Sequence, residues 1–116
     1  MPMTRRRWRD YQTSSGRRPV RDFLESLSDE DAAEVVAAMA EVRELGLQAA
    51  RKLRGDIWEV RADGNSVIHR VLFAQEGQRS FILLALIGFT KKTQRTPPDV
   101  IALAEQRLAD WRFRAQ

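Results

Sequence analysis

The chain has 116 residues, 43% of them apolar, and a formal charge of +4. That length supports one compact core, expected as one domain over 1–116, and leaves no room for separate catalytic and regulatory domains. Cysteine is absent, which excludes a disulfide scaffold and fits a reducing compartment.

No apolar stretch follows the basic opening MPMTRRRWRDYQ, so no signal peptide is expected. The longest apolar run, 81–89, has nine residues, far below the roughly 20 that span a bilayer. A soluble cytoplasmic protein with no membrane partner is the expectation. Trp8 and Tyr11 fit a short edge strand in the opening segment.

A first helix is signalled by Val20, Phe23, Leu24 and Leu27 at i, i+3, i+4 and i+7, with Pro19 in its first turn. Ser28 followed by Asp31 resembles a capping box for a second helix, whose apolar stripe is Ala32, Val35, Val36, Met39 and Val42. Gly46 is the expected stop. Joined almost without a loop, the two helices should form an antiparallel hairpin. Asp29, Glu30, Asp31 and Glu34 resemble a metal cluster at first sight. Their place on a first turn, where carboxylates meet the positive end of the helix dipole, makes a solvated turn the better reading.

A three-stranded meander follows. Asp63-Gly64-Asn65 separates strands at 56–62 and 67–74, and Glu76-Gly77-Gln78 is a second turn. The third strand, 80–89, is apolar at almost every position, hence covered on both faces and central in its sheet. Thr96-Pro97-Pro98-Asp99 opens a last helix with Thr96 as cap and a buried stripe of Ile101, Ala104, Leu108 and Trp111. Helical hairpin, antiparallel sheet and helix make an α+β domain.

Charge is concentrated on the meander. Residues 51–95 hold nine Lys or Arg against four acids, an excess of five beside the whole chain's +4. Positive charge on one sheet and its exit loop suits a polyanion, of which RNA and DNA are the usual kinds. Alternation sends Trp58 and Val60 to one face and Glu59 and Arg61 to the other. Val67, His69, Val71 and Phe73 share the more apolar face of the next strand, which sends Arg70 to the open face with Arg61. His69, the only histidine, reads as half-buried and tied to a backbone group, and one histidine without cysteine supplies no usual zinc set.

The segments LRGDIWEVR, HRVLF and LLALIGFTKKTQRTPPDVIALAEQRLADW together resemble the RelE/ParE toxin superfamily. The nearest resemblance is to its phage-derived, HigB-like branch of type II toxin–antitoxin toxins, over about 19–111. The resemblance implies a RelE-like fold: an N-terminal helical hairpin packed on a twisted antiparallel sheet, with a C-terminal helix. It also implies a ribosome-dependent endoribonuclease (an mRNA interferase) that needs no metal or other cofactor. A cognate antitoxin, in this branch typically a small helix-turn-helix protein, would neutralise it. Ribosome and mRNA are the remaining partners implied. No oligomeric state follows from the sequence.

By the same resemblance, Arg70 matches the strand arginine near the scissile phosphate and Arg61 a basic position of the cleft. Lys91 and Lys92 match the basic group that ends the central strand; Thr93, Gln94 and Arg95 extend that rim, and Lys52 and Arg54 line the approach for RNA. Cleavage without metal can use the substrate's 2′-OH as nucleophile, with arginine gripping two phosphoryl oxygens. Many relatives place a tyrosine beside the strand arginine, or a tyrosine or histidine late in the chain. Here the strand position is His69 and the only tyrosine is Tyr11. The general base is therefore open among Glu59, His69 and a lysine in the cationic group, and Glu59 reads equally as an ion-pair partner that holds Arg61. A ParE-like gyrase poison and a non-catalytic nucleic-acid-binding module are the alternative functions.

Overall fold

The computed structural model describes residues 5–115; the outermost residues of the expected domain, 1–4 and 116, lie outside the described residues. A five-stranded sheet, ordered β1-β5-β4-β3-β2, separates two helices on one face from a third on the other. Its strands are β1 (Arg7–Asp10), β2 (Arg51–Arg54), β3 (Ile57–Asp63), β4 (Ile68–Glu76) and β5 (Ile82–Lys91). The helices are α1 (Pro19–Glu25), α2 (Asp29–Leu45) and α3 (Pro98–Arg114). The α+β expectation holds. No described helix is long and apolar enough to cross a membrane.

The helix boundaries follow local chemistry. Pro19 opens α1, where its missing N–H is not needed. The Ser28 hydroxyl accepts from the Asp31 N–H at 3.1 Å to cap α2. Gly46 ends that helix at φ +81°, a conformation that costs glycine nothing. Both helices pack on the same face of the sheet, over Val60, Val71, Phe73 and Ala85. The approach of α1 is close: a Cβ on Gly88 of β5 would collide with the Phe23 ring.

The sheet corrects one expectation. Strands β2 to β5 run antiparallel, but the edge strand β1 lies parallel to β5. Parallel neighbours need a long crossover rather than a hairpin, and the chain from β1 to β5 runs through both helices and three strands. Trp8 secures β1 by donating its indole N–H to the Met39 carbonyl at 2.7 Å and meeting the Phe73 ring edge-on. The apolar strand β5 is interior, as expected, with β4 the central strand. β2 was not expected, since RKLR has no apolar alternation and is three-quarters cationic.

Between Leu72 and Phe73 the β4–β5 register slips: Leu72 faces Ile87 and Phe73 faces Ala85. The extra residue, Leu86, is a β-bulge, and it reverses the alternation of β5 beyond it. Leu86 and Ile87 therefore both pack toward α3, Gly88 faces α1, and Phe89 and Lys91 turn to the α3 side. α3 covers that side with Ile101, Ala104 and Leu108 against Ile57, Leu72 and Leu84. The expected Thr96 cap is not formed. Pro97 occupies the cap position of α3 with no side-chain bond, and Thr96 spends its hydroxyl on Glu59 instead.

Candidate functional site

Alternation along β3 and β4 places Glu59, Arg61 and Arg70 on one face, as expected, and the bulge in β5 brings Lys91 to the same face. Arg61 lies directly opposite Arg70, which lies opposite Phe89; the next pairing sets Ile68 against Lys91. Three strands thus deliver cations to one end of the sheet. This face is not open, however. α3 covers its lower part, and the connection 92–97 folds over the rest.

Three side chains fasten that connection. Arg61 donates Nη2 to the Gln94 carbonyl at 2.6 Å and Nη1 to Gln94 Oε1 at 3.2 Å. Arg70 donates Nη2 to the Thr93 carbonyl. The Thr96 hydroxyl donates to Glu59 Oε2, while Glu59 Oε1 accepts from Arg61 Nε. Glu59 is 1% exposed and both its oxygens are occupied, so the structure places it as the clamp of Arg61 and Thr96.

Arg70 departs most from expectation. Expected on an open face, it is 0% exposed, beneath the Thr93 carbonyl and 5.7 Å from the Phe89 ring centroid. Its Nε lies 3.8 Å from Glu59 Oε2, too far for a hydrogen bond, and Nε and Nη1 have no hydrogen-bond partner. Burial, then the neighbouring Arg61 charge, lowers its pKa, with Glu59 opposing; an arginine nevertheless keeps its proton. Unpartnered donors on a buried cation are costly, by about 1–3 kcal/mol or more each. Such a group is two donors short of an anion.

Beside Arg70 opens a cleft of about 340 Å³ lined by Arg51, Lys52, Leu53, Arg61, Gln94, Arg95, Thr96 and Ile101. Lys52, Arg61, Gln94 and Arg95 are therefore brought together as the sequence suggested. Thr93, Lys91 and Lys92 are exposed on the rim. Arg54 is drawn away: a register shift in β2 separates it from Lys52, and it pairs with Glu105 of α3 at 2.7 Å. Arg51 and Thr96 also line the cleft, and the sequence reading gives neither a place in the site. Arg51 sits opposite Glu59 on the unexpected strand β2, and only that pairing reveals it. Among the described residues, Arg51, Lys52, Lys91, Lys92 and Arg95 have no acidic partner, whereas Arg18, Arg21, Arg54, Arg112 and Arg114 each have one.

The base candidate His69 and the only tyrosine, Tyr11, lie elsewhere. His69 faces the helices on the far side of the sheet, 3% exposed. The expected backbone tie is replaced by two side chains: Nδ1 meets Thr90 Oγ1 at 2.8 Å and Nε2 meets Asp31 Oδ2 at 3.1 Å. Asp31, read from sequence as solvated, thus bridges α2 to β4. Tyr11 donates its hydroxyl to Asp110 Oδ2 on α3 at 2.6 Å. This bond holds the Asp110 carboxyl below its ordinary pKa, and burial together with Asp110 raises that of Tyr11. A depressed carboxyl stabilises the fold above its unfolded pKa and ceases to do so as pH falls through its folded pKa. Tyr11→Phe is therefore expected to lower thermal stability at neutral pH, by a margin that shrinks in acid, as melting curves across pH will check. No cluster of three or more metal-ligating side chains occurs among the described residues.

An α+β domain with a five-stranded mixed sheet and cations gathered at one end of it and on its exit loop is consistent with the RelE-like class of toxin folds. Comparison with known proteins specifies the branch. Residues 22–109 match the family described as Phage derived protein Gp49-like (DUF891). The chain is also 32% identical over 108 residues to the Probable endoribonuclease HigB1 of Mycobacterium tuberculosis, covering 90% of this chain and 84% of that protein, in strains CDC 1551 / Oshkosh and ATCC 25618 / H37Rv alike. The chain belongs to this Gp49-like family, the phage-derived, HigB-like branch of the RelE/ParE toxins.

Proposed function

We propose that the protein is an endoribonuclease of the mRNA interferase type, which cuts mRNA on translating ribosomes in the cytoplasm without a metal. A cognate antitoxin of the small helix-turn-helix kind holds it in check. The observation that carries this reading is Arg70, a buried guanidinium with two unfilled donors beside Arg61, at the edge of a cleft lined by unpaired cations.

The chemistry assigns each group a task. The substrate's 2′-oxygen attacks phosphorus, the P–O5′ bond breaks, one proton leaves the 2′-OH and one reaches the 5′-oxygen. The phosphoryl oxygens gain charge on the way. Arg61 grips them from the cleft wall it lines, with Glu59 fixing its fork. Arg70 reaches them when the phosphate displaces the Thr93 carbonyl, an exchange favoured because a guanidinium binds phosphate more strongly than an amide oxygen. Arg51, Lys52 and Arg95 hold the RNA backbone, while Lys91 and Lys92 on the rim are the groups able to exchange protons with the reacting oxygens.

One observation favours a second reading, a binding module without catalysis: His69 and Tyr11 both lie away from the cleft. Primer extension separates the two. The purified protein is expected to cut mRNA on translating ribosomes and to leave naked RNA nearly untouched. Salt-sensitive RNA binding with no cleavage establishes the second reading, and intact mRNA with DNA damage in expressing cells points to gyrase.

A further inference from the structure

A second concentration of positive charge lies at the corner of the sheet opposite the RNA cleft. Residues 5–18 hold six arginines against one acid, Asp10. Alternation along the edge strand β1 sorts them. Arg6 reaches the Arg43 and Glu44 carbonyls at the end of α2, and Trp8 bonds to α2 from the same face. Arg7 and Arg9 pair with Ile82 and Leu84 and so fall on the α3 face, and Arg5 continues their row. Arg9 lies against the Trp111 ring of α3, 5.0 Å from its centroid. At the head of the row a hollow of about 400 Å³ is lined by Arg5, Gln78, Arg79 and Phe81.

Arg5, Arg7, Arg9 and Arg79 are exposed, and none has an acidic partner among the described residues. The neighbouring carboxylates are committed elsewhere. Asp10 holds Arg18 at 3.0 Å, and Glu76, across β5 from Arg7, holds Arg112 at 2.8 Å. Arg79 and Ser80 both take left-handed backbone, at φ +56° and +59°, a strained conformation for two successive side chains. The turn thus keeps an arginine where glycine would fit more easily. Arginines on an edge strand discourage strand addition, but Arg79 belongs to the β4–β5 turn, where that need does not arise.

We propose that these four arginines form a second nucleic-acid site, which grips the phosphate backbone of double-helical RNA while the cleft holds the strand to be cut. The choice of RNA over DNA rests on the endoribonuclease reading above. Successive guanidinium groups of the β1 row stand roughly 6.6 Å apart, close to the step between phosphates of one nucleic-acid strand. All four are arginines, whose forks match phosphate oxygens. A single strand is the poorer occupant, because sites for it offer ring faces to the bases. Here Trp111 already lies against Arg9, and Phe81 is half-buried. A duplex keeps its bases stacked and is held through backbone and shape. β1 and β2 are opposite edges of the sheet, and Arg79 precedes β5 whereas Lys91 ends it. Both nucleic acids can therefore bind at once.

The test measures the affinity of the full chain for a blunt RNA duplex of mixed sequence, by fluorescence anisotropy across a range of salt. Arg5→Gln with Arg7→Gln and Arg79→Gly removes three charges at exposed positions, and glycine suits the backbone of Arg79; circular dichroism checks the fold. This triple variant is expected to bind the duplex about tenfold or more weakly and to flatten the slope of log K on log salt by about two to three. On translating ribosomes it should raise KM by a similar factor and keep kcat. Arg5→Lys with Arg7→Lys, which keeps the charge, should lose far less. Lys52→Ala with Arg95→Ala should bind the duplex like the parent. Parent-like duplex affinity of the triple variant overturns the site, and dimers or aggregates of that variant would then assign the row to guarding the strand edge. Duplex affinity lost in the cleft variant instead places the duplex in the cleft and also overturns it. Tighter binding of a DNA duplex of the same sequence overturns the choice of RNA. If the parent cuts no mRNA while its duplex affinity still depends on Arg5, Arg7 and Arg79, the nuclease reading falls and the site stands.

Discussion

Arg70→Met is expected to abolish growth arrest and to reduce mRNA cleavage by about 10²–10³-fold, while the folded state keeps or gains stability. The two halves of this result belong together. Methionine fills much of the arginine's apolar volume and removes the donors at Nε and Nη1 that have no partner, ending a desolvation cost. The losses are small by comparison. The Thr93 carbonyl forfeits one donor, and Glu59 retains Arg61 and Thr96. A cation that weakens the fold yet is required for activity is the pattern expected of a functional group. Urea denaturation beside a cleavage assay checks it. A variant that unfolds as it loses activity would make Arg70 a structural arginine.

Glu59→Ala should have the largest effect on stability, about 3–5 kcal/mol, because it leaves buried cationic donors without their counter-charge. Glu59 accepts from Arg61 and Thr96 and is the only carboxylate within 4 Å of Arg70 among the described residues. Its removal frees the Thr96 end of the 92–97 connection and releases Arg61, so cleavage falls with stability. Glu59→Gln separates holding from proton transfer. An amide still accepts a hydrogen bond from Thr96 or Arg61 but takes no proton at neutral pH. If Glu59 is a clamp, as its occupied oxygens indicate, the glutamine variant loses stability moderately and retains most of its cleavage. Loss of 10²-fold or more in cleavage with the fold intact would make it the base instead.

Strand alternation alone put Glu59, Arg61 and Arg70 on one face and His69 on the other, and the structure agrees at each position. What alternation could not reveal is the consequence of long-range closure. Arg70 is buried by the Thr93 backbone 23 residues later, a contact with no local signature. The bulge at Leu86 lies within a continuous apolar run, where either face accepts any residue, yet it decides that Lys91 joins Arg70. Thr96 offered two hydrogen-bond choices, a helix cap or a buried carboxylate, and the carboxylate prevailed because Glu59 has no water to satisfy it. His69 was placed on the right face but given the wrong partners, since Asp31 lies 38 residues away. β2 escaped notice because a short, mostly cationic segment is a strand only through its pairing with β3.

The claim beneath all of this is that Arg61 and Arg70 converge on one phosphodiester. Isotope-edited NMR of the arginine Nε–H groups, during titration with a short single-stranded RNA made non-cleavable by 2′-deoxy substitution at low salt, reports on it directly. Large shifts of the Arg61 and Arg70 resonances, lost on Lys52→Ala with Arg95→Ala, are the expected result. Shifts confined to Arg7 and Arg9, or an Arg70 signal that stays still while RNA saturates the protein, would contradict it.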